Sequence, residues 1–245
     1  ALYEAVEDET YLDTATPRRL QMRWLLDEVG RLRPDAKTGL DIGAAAGLLV
    51  AEGRDRGLDI VGVEPSRAFC AAAENNFGVR LLNGVYPHPE LAGRRFDVVF
   101  LVDVIEHVAD PLQLLRDAAS ALAPGGLLVC VTPDLESVAA RVLGPRWWHF
   151  RLAHVGYFSR RSFLVAAARA DLRVTLSKRA QWFFPVDYLV DRVAQYLPVS
   201  SLVAAARRLP AVGRLVQAAE KRVIPLDLKD SWVFFAASSS EDSAK

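Results

Sequence analysis

From residue 38 to residue 131 the chain alternates short apolar runs with longer amphipathic stretches, and few folds accommodate that rhythm. The runs cover residues 39–42, 60–63, 79–82, 96–102 and 127–131. The helical patterns between them cover residues 46–56, 67–77 and 111–122. Strands that alternate with helices predict a parallel sheet with helices on both faces. Two later runs, 172–177 and 231–236, bring the predicted α/β sheet to seven strands.

Composition agrees with a globular domain and excludes several classes of protein. The 245 residues are 51% hydrophobic, which is enough for a core and too much for a disordered chain. The 30 Lys and Arg residues equal the 30 Asp and Glu residues, so binding of nucleic acid through net charge is not expected. Cys70 and Cys130 are too few for a disulfide framework. Without a signal-peptide pattern or an apolar run of about 18 residues, the sequence predicts a cytoplasmic protein.

A turn of small residues, 43–47, follows the first predicted strand and leads into a helix. Small residues allow the backbone to approach a ligand closely, and ligands bind at the carboxyl ends of parallel strands. Glu64 ends the second predicted strand, where a carboxylate can accept both hydrogen bonds of a ribose diol. The spacing therefore predicts a nucleotide-binding site.

The residues of this turn distinguish between two kinds of nucleotide. A dinucleotide site requires the pattern G-x-G-x-x-G/A, but counted from Gly43 the third position is Ala45 and the sixth is the bulky Leu48. Asp41, directly before the turn, would repel a pyrophosphate and attract an ammonium or sulfonium group. The pattern favours a cationic ligand, and a nicotinamide-dependent oxidoreductase is the weaker alternative.

Four motifs in this order resemble the class I S-adenosylmethionine (SAM)-dependent methyltransferases. Residues 41–47 match their D-x-G-x-G-x-G loop, except that Ala45 replaces the middle glycine, and Glu64 matches their ribose-binding acid. Residues 96–108 resemble their strand-four segment, and residues 122–126 resemble the turn into strand five. The resemblance implies a Rossmann-like α/β fold with a seven-stranded, mostly parallel sheet, and SAM as the cofactor.

The resemblance also implies which residues contact SAM. Asp41 would hold the methionine end, and Glu64, followed by Pro65, would bind the ribose. The remaining expected contacts are the backbone cradle of Gly43, Ala44, Ala45 and Gly47, the adenine-side residues Asn83, Gly84 and Val85, and the sulfonium-side residues Leu101, Val102 and Asp103.

A second group of residues is predicted to act on the acceptor. Residues 154–159 are similar to a subfamily that modifies small metabolites, sugars and polyketide-type products. A hydroxyl acceptor must lose a proton, and histidine is the natural base near neutral pH. We therefore expect His154 with Tyr157, or else His107, to be catalytic, and the acceptor to be a hydroxyl of a metabolite, sugar, polyketide or lipid-linked compound. Methylation of nitrogen or carbon stays open.

Two features near these residues allow more than one interpretation. The spacing Asp103-x-x-Glu106-His107 also resembles a metal-assisted variant found in quinone-modifying methyltransferases, although we predict no metal site. Trp147, Trp148 and Phe150 could form either a lid over the acceptor or part of the core.

The chain is predicted to contain an N-terminal helical segment (1–37), a methyltransferase domain (38–237) and a disordered tail (238–245). A helical insertion is expected at about 181–230. Its second half is basic and apolar, so it either covers the sheet as a lid or lies on an anionic membrane surface. The expected partner is a small-molecule acceptor and the expected assembly a monomer or homodimer. A catalytically silent, methyltransferase-like binding subunit is the alternative to an enzyme.

Overall fold

The computed structural model describes residues 15–186, 188–189 and 222–239. Its strands are β1 (Thr38–Ile42), β2 (Asp59–Glu64), β3 (Leu82–Asn83), β4 (Phe96–Val102), β5 (Leu122–Pro133), β6 (Leu172–Arg179), β7 (Trp182–Pro185), β8 (Val223–Leu226) and β9 (Ser231–Ser238). Seven of them form one sheet in the order β3-β2-β1-β4-β5-β9-β6. This confirms the predicted seven-stranded, mostly parallel Rossmann-like sheet.

The helices are α1 (Ala15–Leu32), α2 (Leu48–Arg54), α3 (Arg67–Phe77), α4 (Pro111–Ser120), α5 (Val138–Leu143) and α6 (Arg160–Arg169). Four of them have an N-cap residue whose side chain accepts a hydrogen bond from a backbone N–H of the first turn. This N–H has no partner within the helix itself. These caps are Ser66, Asp110, Ser137 and Ser159. None of the helices in the described ranges is long and apolar enough to cross a membrane.

The core lies on both faces of the sheet because the central strands are buried on both sides. In β4, Val98 and Phe100 face one apolar cluster, whereas Val99 and Leu101 face the other. This alternation follows from the two-residue period of a strand, and it explains why β4 is an unbroken apolar run. The α1 helix adds Leu25 to the first of these clusters.

Strand β9 runs antiparallel to both β5 and β6. The start of β9 therefore lies at the same edge of the sheet as the carboxyl ends of the parallel strands. Asp230, directly before β9, accepts a backbone hydrogen bond from Asp134 N at 2.7 Å, and Asp134 directly follows β5. The reversal of one strand thus brings residue 230 to the ligand-binding edge.

Several element boundaries differ from the sequence-based expectation. Helix α2 begins at Leu48 rather than at 46, because Gly47 has a left-handed φ of +73°. Strand β3 is reduced to Leu82–Asn83, which pairs with the last residues of β2. Residues 124–126, predicted as a turn before strand five, lie within β5, where the register with β4 shifts.

The insertion predicted as helical begins and ends as strand. Its two ends, β7 and β8, pair as a two-stranded antiparallel sheet. They are rich in aromatic and β-branched residues, which suit a pleated surface better than a helix. Residue 187 and residues 190–221, which include most of the basic stretch, lie outside the described residues, as do residues 1–14 and 240–245. Ser238, expected in the disordered tail, is the last residue of β9.

A buried carboxylate fastens α1 to α2. Glu52 is 1% exposed, and its oxygens accept hydrogen bonds from Arg19 Nε at 2.6 Å, Arg23 Nε at 2.7 Å and Arg56 Nη1 at 3.2 Å. Burial acts to raise the pKa of Glu52, but the bonds from Arg23 and Arg19 outweigh it and the pKa is lowered. The charged form of Glu52 therefore stabilises the fold at pH values above the ordinary pKa of a glutamate.

We predict that Glu52→Gln lowers the free energy of unfolding by about 2 to 4 kcal/mol at pH 7, because three arginines lose a buried charged partner. Urea denaturation measures the change. Asp27→Asn, which removes a largely exposed partner of Arg56, is the matched control and should cost less than about 1 kcal/mol. Because the folded pKa is lowered, the difference between wild type and Glu52→Gln should shrink as the pH falls below about 4. Equal losses in the two variants would contradict this prediction.

Candidate active site

The turn after β1 is held against the end of β2 by backbone hydrogen bonds. The N–H groups of Gly43 and Ala44 both donate to Val63 O, at 2.9 and 3.1 Å. Gly43 has a φ of +78°, and a Cβ at this position would lie 2.7 Å from Val104 Cγ2. Only glycine therefore fits there without displacing the loop that follows β4.

Ala45 occupies a left-handed conformation with a φ of +45° although it carries a Cβ. This backbone region costs a non-glycine residue about 1 kcal/mol. The Ala45 N–H compensates in part, because it donates a 2.8 Å hydrogen bond to Glu64 Oε2. The position where the resemblance expects glycine thus keeps the glycine conformation.

Glu64 connects the ends of β1 and β2 at the site. Its side chain is buried, Oε2 accepts from Ala45 N and Oε1 accepts from Ser66 N at 2.9 Å. Burial raises the pKa of Glu64, while the hydrogen bonds from Ser66 and Ala45 act in the opposite direction. The carboxylate is fixed in orientation, and each oxygen keeps lone-pair capacity for a further donor.

Asp41 is a second buried acid, on β1, and it is 3% exposed. Burial, with a smaller contribution from the charge of Glu64, raises the pKa of Asp41 to about 7. Two neighbouring carboxylates in a dry site disfavour each other's ionised form, so a positively charged ligand would stabilise both. This charge balance fits a sulfonium and opposes a pyrophosphate.

Residues 83–85 do not all face outward as expected for adenine contacts. Asn83 Nδ2 donates to Glu64 O and to Pro65 O, both at 3.0 Å, and Gly84 N donates to Glu64 O at 3.0 Å. The Asn83 amide and the Gly84 N–H thus hold the backbone that carries Glu64. Val85 is exposed, with 69% of its surface accessible.

The end of β4 supplies a third acid. Leu101 is buried and Val102 half-buried, and Asp103 turns the chain with a left-handed φ of +53°. Asp103 Oδ1 is buried and has no hydrogen-bond partner among the described residues. Burial raises the pKa of Asp103 to about 6, and the positive groups of His149, Arg18 and Arg151 oppose that rise.

The structure brings the predicted acceptor-side residues together. The rings of His107 and His154 meet edge to face with centroids 4.6 Å apart. The ring centroid of Tyr157 lies 6.0 Å from that of His154. Glu106, His107 and His154 each offer a ligand atom, all within 4.8 Å of one another. The sequence spacing suggested Asp103 as the third member of such a cluster, but His154 occupies that place.

Glu106 is buried and the two histidines of the cluster are half-buried, and this shielding from water shifts their pKa values. Burial lowers the pKa of His154 to about 4, reinforced by His107 and His149, and His154 Nδ1 has no hydrogen-bond partner among the described residues. Burial and the nearby Asp103 raise the pKa of Glu106 to about 8, while Thr132 Oγ1 donates to Glu106 Oε2 at 3.1 Å. At neutral pH the imidazole of His154 is neutral and the carboxyl of Glu106 keeps its proton.

Two functional candidates were not found from the sequence. His149, which sequence reasoning left without a role, has Nε2 3.3 Å from Asp230 Oδ2, and Trp148 Nε1 donates to the same oxygen at 3.0 Å. Asp230 stands 81 residues further along the chain, so no local spacing could indicate the pair. The only sequence signal is an acid directly before the last strand.

The aromatic residues Trp147, Trp148 and Phe150 were expected to form either a lid over the acceptor or part of the core. Trp147 is 1% exposed and belongs to the interior, whereas Phe150 is 41% exposed. Phe150 packs edge to face on Trp147 and on Tyr157. Part of the segment is thus core, and part lies at the surface beside the acceptor-side residues.

We predict that Asp41→Asn makes the protein more stable above neutral pH. The pKa of Asp41 is about 7 in the folded chain, whereas an aspartate of the unfolded chain titrates at about 4. The folded chain therefore binds this proton more tightly, and the contribution of the proton to the free energy of unfolding is lost as the pH rises from about 4 to about 7. Between pH 5 and pH 8 the wild type should lose about 2 kcal/mol more than the variant, measured by urea denaturation. Asp59→Asn, at an exposed position on β2, is the control. A difference between wild type and Asp41→Asn that does not change with pH would contradict the prediction.

Sequence relatives identify the family of the chain. A family model described as a methyltransferase domain matches residues 15–177. A ubiquinone biosynthesis O-methyltransferase from Cereibacter sphaeroides is 36% identical over 115 residues, which cover 44% of this chain and 47% of that protein. The chain therefore matches about half of the length of this relative. The same-named protein of a second strain is 29% identical over 69% of this chain and 73% of its own length.

Solved structures agree on the fold. A SAM-dependent methyltransferase from Thermotoga maritima superposes with a TM-score of 0.60 over 95% of this chain and 94% of that one. Its 19% sequence identity shows a common fold alone. The family match, in contrast, extends from α1 into β6, and on that ground the chain belongs to the methyltransferase-domain family, the class I SAM-dependent methyltransferases.

Proposed function

We propose that the protein transfers the methyl group of SAM to a hydroxyl oxygen of a small, partly apolar acceptor. The observation that carries the proposal is the pair of buried acids, Asp41 and Glu64, on either side of a left-handed turn at one edge of the sheet. SAM supplies a methyl carbon already activated by a positive sulfur. The chain's own groups have to bind, orient and keep out water.

The residues on the cofactor side suit that ligand by their chemistry. Glu64 is held by two backbone N–H groups, which leaves one lone pair on each oxygen to accept a ribose hydroxyl. Asp41 provides negative charge on β1, where the resemblance expects the methionine end. Gly43, Ala44, Ala45 and Gly47 provide a turn whose backbone a ligand can approach.

The proposed acceptor side combines apolar residues at the end of β4 with polar groups. Leu101 and Val102 end β4 beside Asp103, and the cluster of Glu106, His107 and His154 follows. The neutral His154 can accept a hydrogen bond from a hydroxyl and so orient it, but a pKa of about 4 makes it a weak proton acceptor at neutral pH. The names of the relatives, O-methyltransferases of ubiquinone biosynthesis, support oxygen as the methylated atom.

Two alternatives make different predictions for ligand binding. A nicotinamide-dependent oxidoreductase would bind NAD, which the acid at Asp41 and the buried Leu48 at the start of α2 oppose. A catalytically silent binding subunit would bind no nucleotide or would bind SAM without turnover. Isothermal titration with SAM, its demethylated product and NAD distinguishes the oxidoreductase from the methyltransferase, because only the oxidoreductase would bind NAD.

Transfer of a tritiated methyl group to catechol, 4-hydroxybenzoate, quercetin and glucose as probe acceptors tests the second alternative. Turnover of at least one hydroxyl probe is expected, and SAM binding without transfer to any of the four would contradict hydroxyl methylation. The assay is run with and without EDTA. Loss of turnover that Mg²⁺ restores would assign a cation to the cluster of Glu106, His107 and His154. Unchanged turnover would leave that cluster as a hydrogen-bonding group.

We predict that Glu64→Ala weakens SAM binding at least tenfold. Charge-assisted hydrogen bonds to a diol are worth about 1.5 to 3 kcal/mol each, and the turn also loses its bond from Ala45. Isothermal titration measures the affinity, and circular dichroism verifies the fold. Glu74→Ala, at an exposed position on α3, is the matched control and should bind as the wild type does. Unchanged affinity in a folded Glu64→Ala protein would remove Glu64 from the cofactor site.

We predict that His154→Ala lowers turnover of the best probe acceptor about tenfold or more while SAM affinity changes less than about threefold. Its ring orients the acceptor and packs on His107 and His149 without belonging to the cofactor turn. Initial rates and titration calorimetry measure the two quantities on the same preparation. A variant with a lower melting temperature and full turnover would show that His154 is structural.

A further inference from the structure

Asp230 is an acid that the cofactor site does not use. It is 1% exposed, its Oδ1 is buried without a partner among the described residues, and its Oδ2 receives Trp148 Nε1. A buried carboxylate with one unsatisfied oxygen is costly, so Asp230 is a candidate for a specific role. The second group at Oδ2 is His149 Nε2, 3.3 Å away.

The fold places this pair at the reaction edge of the sheet. Asp230 lies at this edge because β9 runs antiparallel, and its backbone carbonyl accepts a hydrogen bond from Asp134 N at 2.7 Å. His149 lies in the loop between α5 and α6, where its ring contacts that of Trp147 with centroids 5.0 Å apart. The two residues therefore reach the same place from distant parts of the chain.

His149 also lies beside the cluster of Glu106, His107 and His154. Its ring stacks with that of His154, with the two centroids 6.2 Å apart. The resemblance assigns residues 101–103 to the sulfonium side of the site. The side chain of His149 is 14% exposed, so it is largely shielded from bulk water without being fully buried.

The orientation of the ring leaves one nitrogen free to act. Because Nε2 lies 3.3 Å from the Asp230 carboxylate, whose negative charge attracts the N–H dipole, we expect the neutral His149 to carry its proton on Nε2 and to leave Nδ1 bare. Within the described part of the chain, Nδ1 has no hydrogen-bond partner. An imidazole with one nitrogen on a buried carboxylate and the other open is the arrangement of an oriented general base.

We propose that His149 is the general base of the methyl transfer and that Asp230 is the positioning residue that fixes its tautomer. The acceptor O–H bond breaks and its proton goes to His149 Nδ1. As the O–CH₃ bond forms, the bond between the methyl carbon and sulfur breaks, and its electron pair remains on sulfur. Asp230 stabilises the imidazolium without taking its proton.

This proposal rests on the proposed function, so the experiment measures SAM binding and turnover separately. We predict that His149→Ala lowers kcat for the best probe acceptor by about 10²-fold or more, because a positioned base contributes about 10²–10⁴-fold. The Kd for SAM and the KM for the acceptor should change less than about threefold. Free imidazole at about 100 mM should raise the kcat of His149→Ala at least fivefold. It should not raise the kcat of His154→Ala, which is the matched histidine variant.

Two further variants test the tautomer. Asp230→Asn should lower kcat at least tenfold with unchanged SAM affinity, and Trp148→Phe, which leaves the carboxylate in place, should lower it much less. Nitrogen-15 NMR of the wild type should show His149 Nδ1 unprotonated and Nε2 protonated, a preference that Asp230→Asn should weaken. This readout needs no acceptor.

The outcomes separate the two proposals. If the wild type fails to bind SAM, the proposed function fails. If it binds SAM and His149→Ala keeps more than about a third of wild-type kcat, the base assignment alone is overturned. A proton on Nδ1 in the wild type would also overturn it. If His149→Ala does not fold, His149→Gln, which can still donate to Asp230, takes its place and should show the same loss of kcat without rescue.

Discussion

The Glu64 carboxylate is the interaction on which the rest of the site depends. Its two oxygens bind the N–H groups of Ala45 and Ser66, and it thereby joins the turn after β1 to the start of α3. Asn83 and Gly84 hold its backbone from the far side. The register of β1 against β2 sets these distances, since Ile42 pairs with Val63 directly before the turn. One buried acid thus fastens the turn after β1 to the start of α3.

The second half of the site depends on the direction of a single strand. In an all-parallel sheet, the residue before the last strand would lie at the opposite edge from the ligand. Because β9 is antiparallel, Asp230 meets His149 and Trp148 at the edge where the parallel strands end. The proposed acceptor side therefore combines the ends of β4 and β5, the loop before α6 and the start of β9.

Buried acids in this site work against stability. Burial raises the pKa of Asp41, Glu64, Asp103 and Glu106, so each ionised form is disfavoured in the fold. The pKa of Glu52, which is also buried, is lowered instead because Arg23 and Arg19 donate hydrogen bonds to its carboxylate. The contrast separates an acid that fastens two helices through arginines from four acids that form no ion pair within the described part of the chain.

The sequence by itself determined the strand–helix alternation and the order of the elements, together with the turn at 43–47 and the acid at Glu64. These depend on local periodicity and on spacings of about 20 residues. It could not determine that residues 182–185 and 223–226 pair as strands, because both partners are needed to satisfy their backbone groups. It named His107, His154 and Tyr157, but not that burial would depress the pKa of His154 to about 4. The contact of His149 with Asp230 was decided only by the tertiary structure, because it joins residues 81 positions apart through the reversal of β9.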